Sequence, residues 1–269
     1  METFEFTPIG VVHTTEKYRF EQPRQGIFSR SCGWIELAPE YGGDALRDLE
    51  GFERIWVIFC FHLNYGKAWK AQVHPPLVPE KRPYGLFATR SPHRPNAIGM
   101  SCVELLEICK NRLILGNIDM VDNTPVLDIK PYIPEADAFP AAAAGWRDRL
   151  RAEEYKITYA PEFIAKAEFL LGCGAPDMQN VALVQLTHQP FDSKRKRLYP
   201  GREKGCTELG CRTWRIEFCE IAPGELLVKE LYSNYAAKEL LPECDDPYQD
   251  KELHRKFMTR FYPDNAENT

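Results

Sequence analysis

No uninterrupted apolar run in this sequence approaches the ~20 residues that a membrane-spanning helix requires, so no membrane location is expected. The opening residues, Met1-Glu-Thr-Phe-Glu5, carry neither a basic stretch nor an apolar one, and no secretory leader is expected. Positive charge is not in excess either. The 34 Lys and Arg stand against 39 Asp and Glu, a formal net charge of -5. Such a chain does not advertise nucleic-acid binding as a whole, although an average conceals local patches. A cysteine framework is also missing: the nine cysteines are odd in number and irregular in spacing, which argues against a set of disulfides. Cys60 and Cys102 lie in apolar runs, where a thiol serves as a small hydrophobe. Cys206, Cys211, Cys219, Cys244 and His188 lack the paired spacing of a zinc site, and no metal is expected. These absences together point to a reducing cytoplasm. Internal repeats and low-complexity segments are absent as well.

What is present is enough apolar and aromatic material for a core, 44% and 12% of the residues. Up to about residue 140 the chain reads as strand after strand with hardly any helix: 4–12, 34–37, 55–61, 100–108, 112–120 and 126–133. The run 55–61 is almost unbroken in its apolar character, which predicts a strand buried on both faces. The whole pattern predicts a sheet curled into a barrel. Composition then shifts to an alanine-rich linker over 136–144. Beyond it, helical spacing runs over 161–171, and Asp177 suits the N-cap of a second helix through Leu186. Residues 214–218 and 226–232 read as a hairpin turning at Pro223-Gly224. Asp246 and Pro247 suit the start of a tail helix with Leu253, Phe257 and Phe261 on its apolar face. The expected division is a mainly β domain over 1–140, a small α+β domain over 158–240 and a helical tail over 241–269.

Chemistry concentrates in residues 86–99, Leu-Phe-Ala-Thr-Arg-Ser-Pro-His-Arg-Pro-Asn-Ala-Ile-Gly. Leu86, Phe87 and Ala88 read as strand. Pro92 and Pro95 then brace the chain, and Gly99 permits backbone geometry that other residues resist. Between them stand two guanidiniums, an imidazole and an amide, a set suited to an anionic or highly polar ligand. A solvated turn is the alternative. Asp119 and Asp122 fall where a strand gives way to the Asn123-Thr-Pro125 turn; they offer carboxylates to a ligand, or else only shape that turn. Residues 170–177, Leu-Leu-Gly-Cys-Gly-Ala-Pro-Asp, imitate a nucleotide-binding glycine loop but follow a helical run, so a helix stop is expected. Residues 194–215 hold eight basic residues against two acidic ones. That is the footprint expected for a phosphate backbone, with Tyr199 and Trp214 able to stack on bases; a merely solvated loop is the alternative.

Residues 88–100, Ala-Thr-Arg-Ser-Pro-His-Arg-Pro-Asn-Ala-Ile-Gly-Met, resemble the signature of the TsaA-like (TrmO) family of tRNA methyltransferases. Other matching pieces come in the family's order: Pro8-Ile-Gly-Val-Val12, Pro23-Arg-Gln25, Leu49-Glu-Gly-Phe52, Ile55-Trp-Val-Ile-Phe59, Val73-His-Pro-Pro76 and Asp119-Met-Val-Asp-Asn-Thr-Pro-Val-Leu-Asp-Ile-Lys-Pro-Tyr132. The resemblance is strong over 3–140 and thins toward 220. It implies a β-barrel-like, non-Rossmann methyltransferase domain with S-adenosylmethionine as cofactor. Carried over, the cofactor positions are Pro23, Arg24, Gln25, His62, Leu63, Arg90, Met100, Asp119, Met120, Val121 and Asp122. The implied acceptor is the exocyclic nitrogen of N6-threonylcarbamoyladenosine beside a tRNA anticodon, and the implied assembly is a homodimer whose site a neighbouring subunit completes. Arg82 or Arg94 would then meet the threonyl carboxylate, and His93 or Asp122 would be nearest to take a proton. Lys194, Arg195, Lys196, Arg197, Tyr199 and Arg202 would seat the tRNA. Where the family has an Asp-Pro-Arg motif before the basic loop, this chain has Thr187-His-Gln-Pro-Phe-Asp-Ser-Lys194. Two rival readings stand beside this one: a non-catalytic RNA-binding protein that has kept the loops, and a methyltransferase for another small acceptor.

Overall fold

In the computed structural model, which describes residues 2–19, 21–23, 25–75, 82–149, 154–194 and 196–263, short strands alternate buried and half-buried residues through the first half of the chain. These are β1 (Gly10–Thr14), β2 (Gly33–Leu37) and β3 (Arg54–Cys60), a small ribbon of β4 (Gln72–Val73) and β5 (Tyr84–Gly85), then β6 (Ile98–Cys109), β7 (Arg112–Gly116) and β8 (Pro125–Pro131). Apart from the ribbon they pair antiparallel in the order β1-β2-β7-β6-β3-β8. The barrel closes where Gly10 and Val11 of β1 meet Val126 and Pro125 of β8. Val12, Ile35, Ile55, Val57, Val103, Leu113, Leu115 and Val126 are fully buried and fill the interior. A small barrel packed in this way has a core and no lumen, which leaves function to its ends.

Local departures from the expected pattern have physical causes. The run 55–61 is not buried on both faces. Ile55, Val57 and Phe59 point inward while Trp56, Ile58 and Cys60 stay half-buried, because a barrel strand turns only one side to the core. Trp56 is partly covered by Tyr132, with ring centroids 5.8 Å apart, and donates its indole N–H to Asp137 (3.0 Å) of the short helix α1 (Pro134–Asp137). The first strand begins only at Gly10; Phe4 and Phe6, whose alternation suggests an earlier start, are exposed. Leu86–Ala88 is a single 3-10 turn, not a strand end, because the Thr89 N–H and hydroxyl both close back on the Leu86 carbonyl at 3.0 and 2.8 Å. Gly99 is required for space, not for backbone freedom. A Cβ there would stand 2.4 Å from the Phe59 ring and 2.9 Å from that of Phe61.

The chain divides into two compact units, residues 1–152 and 153–269. The second contains β9 (Lys156–Tyr159), α2 (Pro161–Gly172), α3 (Met178–Leu186), β10 (Leu198–Pro200), β11 (Cys206–Cys211), β12 (Trp214–Ala222), β13 (Glu225–Ser233) and α4 (Lys251–Phe261). Its sheet runs β10-β11-β12-β13-β9, antiparallel except where β13 meets β9. Asp177 caps α3 by accepting the N–H groups of Gln179 (2.9 Å) and Asn180 (3.0 Å). Gly174, at φ 79°, ends α2 in a left-handed turn, so the glycine pair at 172 and 174 is a helix stop. The tail helix starts at Lys251, later than Asp246 suggests. The Asp246 carboxylate instead accepts the N–H groups of Asp250 and Lys251, both at 3.1 Å.

A buried histidine fastens α4 to the sheet. His254 stacks on Trp214 with centroids 3.7 Å apart. Its Nε2 meets the Thr213 hydroxyl at 2.8 Å and its Nδ1 the Ser233 hydroxyl at 2.7 Å. The Thr213 hydroxyl donates to Asp250 (2.5 Å), so Nε2 carries the ring proton and Nδ1 accepts from Ser233. Burial holds the His254 pKa down against the upward pull of Asp250. Trp214 therefore lies in the core against Phe257 and is not a surface for stacking bases. Cys206 and Cys219 face each other across β11 and β12, with Cα atoms 4.4 Å apart, and form a disulfide. Chain spacing gives no sign of this pair; only strand register brings the two together, a single bridge where the sequence argues against a framework of them.

Replacing Gly99 by alanine is expected to cost about 1–3 kcal/mol through overpacking against Phe59 and Phe61. The measurement is the urea midpoint, which should fall with the slope unchanged; an unmoved midpoint would mean that the two rings yield.

Candidate functional site

Antiparallel pairing sends alternate connections to opposite ends of a barrel. Register places the β1–β2 connection (15–32), the β3–β6 connection (61–97) and the β7–β8 connection (117–124) at one and the same end. Every described position that the resemblance assigns to a cofactor lies in these connections or just inside them. Arg24 falls outside the described residues.

Gln25 and Arg90 come together first: the Arg90 guanidinium donates to Gln25 Oε1 at 2.9 Å. Gly26 lies hard against the barrel, since a Cβ on it would stand 2.4 Å from the Asn117 carbonyl oxygen. Its N–H and the Ser101 hydroxyl face the carboxylate of Asp119, and the charge of Arg90 is close by. Burial nonetheless pushes the Asp119 pKa up, with those three groups opposing it. Among the described residues, Asp119 Oδ1 is buried without a hydrogen-bond partner. Pro23 is buried beneath this loop. The Met120 side chain is buried in the barrel core, and its carbonyl accepts from Gln22 Nε2 (2.6 Å), so only its backbone belongs to this surface. The Val121 carbonyl accepts the Thr124 hydroxyl at 2.7 Å. His62 and Leu63 lie in the 3-10 turn that ends β3; the Arg19 guanidinium donates to the Leu63 carbonyl, and burial followed by the Arg19 charge lowers the His62 pKa. Leu63 and Met100 are exposed apolar side chains.

Asp119 and Asp122, equivalent in sequence, are not equivalent in space. Asp122 Oδ1 accepts the Thr14 N–H (3.1 Å) and Oδ2 the Asn123 side-chain amide (2.8 Å), so both oxygens shape the turn. The two arginines expected to meet the acceptor are engaged too. Arg94 donates to the carbonyls of Thr89 (3.0 Å) and Ser91 (3.5 Å). Arg82 lies 4.7 Å over the Tyr84 ring and donates to its hydroxyl at 3.2 and 3.3 Å. His93 Nδ1 meets the Asn64 side-chain amide at 3.3 Å. Burial lowers the His93 pKa, and the charges of Lys70, Arg19 and Lys67 add to that, so the ring is held neutral.

Two residues of this surface were not legible as functional. Glu16 is buried and accepts the Ser31 hydroxyl (2.7 Å) and the Thr14 hydroxyl, tying the first connection together. Trp146 donates its indole N–H to the Ala88 carbonyl (2.8 Å) and packs on Tyr84 at 4.7 Å, propping the signature loop from a segment that reads as linker. The one available signal for it was a lone tryptophan in an Ala/Gly-rich stretch.

In the second unit the basic residues divide. Arg195 falls outside the described residues. The Lys196 ammonium is held by the carbonyls of His188 and Gln189, both at 2.6 Å, and of Gln185, so it ties off the end of α3 and is not a free phosphate contact. Arg202 stacks 3.4 Å over the ring of Tyr232, and Arg215 lies 4.3 Å over that of Tyr199 and 3.8 Å from Glu208. Lys194, Arg197, Tyr199 and Arg202 are exposed.

S-adenosylmethionine presents an ammonium, ribose hydroxyls and an adenine amino group as donors, and one carboxylate. The unpartnered, buried Oδ1 of Asp119 suits a donor, and Gln25 with Arg90 suits the carboxylate. Leu63 and Met100 offer apolar surface to the base. The residues present fit the group.

Residues 11–138 match the family model of the tRNA-methyltransferase O N-terminal domain. The chain is 38% identical over 213 residues to a tRNA (adenine(37)-N6)-methyltransferase of Escherichia coli, covering 77% of this chain and 88% of that protein. It is 42% identical over 130 residues to an S-adenosyl-L-methionine-binding protein of Archaeoglobus fulgidus, covering 48% of this chain and 90% of that protein. A crystal structure of TrmO from Pseudomonas aeruginosa superposes with a TM-score of 0.62 at 27% identity, covering 86% of this chain and 99% of that one.

Asp119→Asn is expected to part stability from binding. The raised pKa means that the ionised carboxylate costs folding energy above neutrality. That cost disappears in acid, below about pH 4, where folded and unfolded states are both protonated. The variant should melt higher than the parent above neutrality, with the difference closing as pH falls. Its affinity for S-adenosylmethionine should drop by about ten- to a hundredfold, as for a lost charged hydrogen bond. Calorimetry showing unchanged cofactor affinity would take Asp119 out of the site.

Proposed function

Since the chain belongs to the tRNA-methyltransferase O family, we propose that it transfers a methyl group from S-adenosylmethionine to the exocyclic nitrogen of N6-threonylcarbamoyladenosine beside a tRNA anticodon. The observation that carries this reading is the gathering of Gln25, Arg90 and Asp119 at one barrel end, around a buried carboxylate oxygen to which none of the described residues donates.

Bound there, S-adenosylmethionine supplies an electrophilic methyl on a sulfonium. The chain's own groups do the rest. Asp119 holds a donor of the cofactor, Arg90 and Gln25 hold its carboxylate, and Trp146 keeps the signature loop in place beneath Ala88. Neither candidate base is aimed at a proton in this reading. Asp122 has both oxygens in its turn, and the lone pair of His93 Nδ1 faces the Asn64 amide. Acceleration then rests on alignment and water exclusion, and the displaced proton passes to solvent.

Ile27, Phe28, Leu63, Phe87, Ile98 and Met100 are exposed apolar side chains of the same connections and of the start of β6. They support a homodimer in which the second copy completes the site. In the second unit, Lys194, Arg197 and Arg202 support seating of the tRNA backbone. A tRNA substrate supports a cytoplasmic location.

The test uses purified protein, labelled S-adenosylmethionine and two tRNA pools, one carrying the threonylcarbamoyl group and one from cells unable to make it. Label in the modified pool alone is the expected outcome. Equal label in both pools would remove recognition of the threonylcarbamoyl group. Cofactor binding without transfer to either pool would point to a different acceptor.

A further inference from the structure

The signature loop has a second face, turned to the β4–β5 ribbon. A pocket of about 290 Å³ opens there, lined by Lys70, Gln72, Val73, His74, Ser91 and His93. The backbone builds it firmly: the Lys70 N–H donates to the His93 carbonyl (3.2 Å) and the Leu86 N–H to the Ala71 carbonyl (2.9 Å). The His93 N–H reaches Ser91 Oγ at 3.4 Å. Among the described residues the lining brings an ammonium, two imidazoles, a hydroxyl and an amide, and no carboxylate. Its volume lies at the lower edge of the roughly 300–1,000 Å³ range of sites for whole small molecules, so it suits a side group better than a nucleotide.

The lining supplies donors for an anion. The Asn64 amide donates to His93 Nδ1, so the neutral ring carries its proton on Nε2. Lys70 makes no ion pair among the described residues, whereas Arg94 and Arg82 are turned onto internal acceptors. The pocket also adjoins the cofactor surface. His93 is a wall of it, and the Asn64 that meets His93 belongs to the same 3-10 turn as His62 and Leu63.

We propose that this pocket is the anion subsite of the reaction centre, in which Lys70, with Ser91 and His93, takes the carboxylate borne by the side group of the acceptor purine. The assignment rests on the function proposed above. It moves the carboxylate from Arg82 and Arg94, which brace the loop, to Lys70, which nothing in the sequence singled out. A backbone phosphate of the tRNA has the same charge and would satisfy the same donors, so the test must separate the two sources.

Full-length protein and its Lys70→Gln and Lys70→Arg variants are compared in three measurements: cofactor affinity by calorimetry, affinity for the two tRNA pools, and methyl transfer to the modified pool. A fourth measures binding of free N6-threonylcarbamoyladenosine and of its methyl ester, in the presence of S-adenosylhomocysteine. Lys70→Gln should raise KM for modified tRNA about tenfold or more, erase the preference for the modified pool, and leave cofactor affinity unchanged. Lys70→Arg should keep most of the preference. The parent should bind the free acid about tenfold or more better than the ester, and Lys70→Gln should bind both alike. Equal weakening toward both tRNA pools would make Lys70 a phosphate contact and overturn the proposal, as would equal binding of acid and ester by the parent. Transfer to the modified pool that is indifferent to Lys70 would overturn the subsite and leave the methyltransferase reading standing. Discrimination of acid from ester through Lys70, without transfer, would uphold the subsite and sink the reaction.

Discussion

A barrel of this size is full once it closes. The inward side chains of its strands occupy the space, so a ligand can be met only by what leaves the barrel at its rim. Everything functional in the first unit follows from that. The three connections at one end must hold polar groups in fixed places outside the barrel sheet, and they do so with buried anchors of their own. Glu21, fully buried, accepts the N–H groups of Lys17 (2.9 Å) and Tyr18 (3.0 Å). Glu16 does the same for hydroxyls, and Gly26 lets the chain lie flat on Asn117. A buried carboxylate is costly unless its oxygens are met. Against that background the bare oxygen of Asp119 stands out as the carboxylate oxygen that, among the described residues, is buried without a donor.

The barrel was legible because alternation along a strand survives translation into a closed sheet. The misreading of 55–61 has a simple origin: Trp56, Ile58 and Cys60 are apolar on a side that other elements half cover, and a run of apolar letters does not say how completely each face is covered. The signature loop was legible through its chemistry, yet the division of labour inside it was not. Sequence treats Asp119 and Asp122 alike, and Arg94 as another cation. Only the folded chain shows that Asp122 and Arg94 are occupied by neighbouring backbone groups. Trp146 was invisible for a related reason, since its partner is the carbonyl of Ala88, and a main-chain acceptor leaves no mark in a sequence.

The same lesson holds in the second unit. Counting residues 194–215 measures how much positive field the segment produces. It does not say which side chains are at liberty to touch a ligand. Lys196 is tethered to three carbonyls, and Arg215 covers one tyrosine ring while facing a carboxylate. Pairing across β11 and β12 likewise joins two cysteines separated by thirteen positions, a relation that spacing rules built for compact metal or disulfide motifs do not capture.

The prop that Trp146 places under Ala88 has one more consequence. The region shared with the tRNA-methyltransferase O family model ends at residue 138, short of that tryptophan. A boundary drawn by kinship and a boundary drawn by mechanics therefore differ. The inherited segment contains the strands of the barrel, save Gly10 at the start of the first, and the whole signature. The piece of chain that steadies the signature lies beyond it, in the stretch that follows the last barrel strand. A chain cut at residue 138 would keep every residue of the signature and lose the prop beneath Ala88.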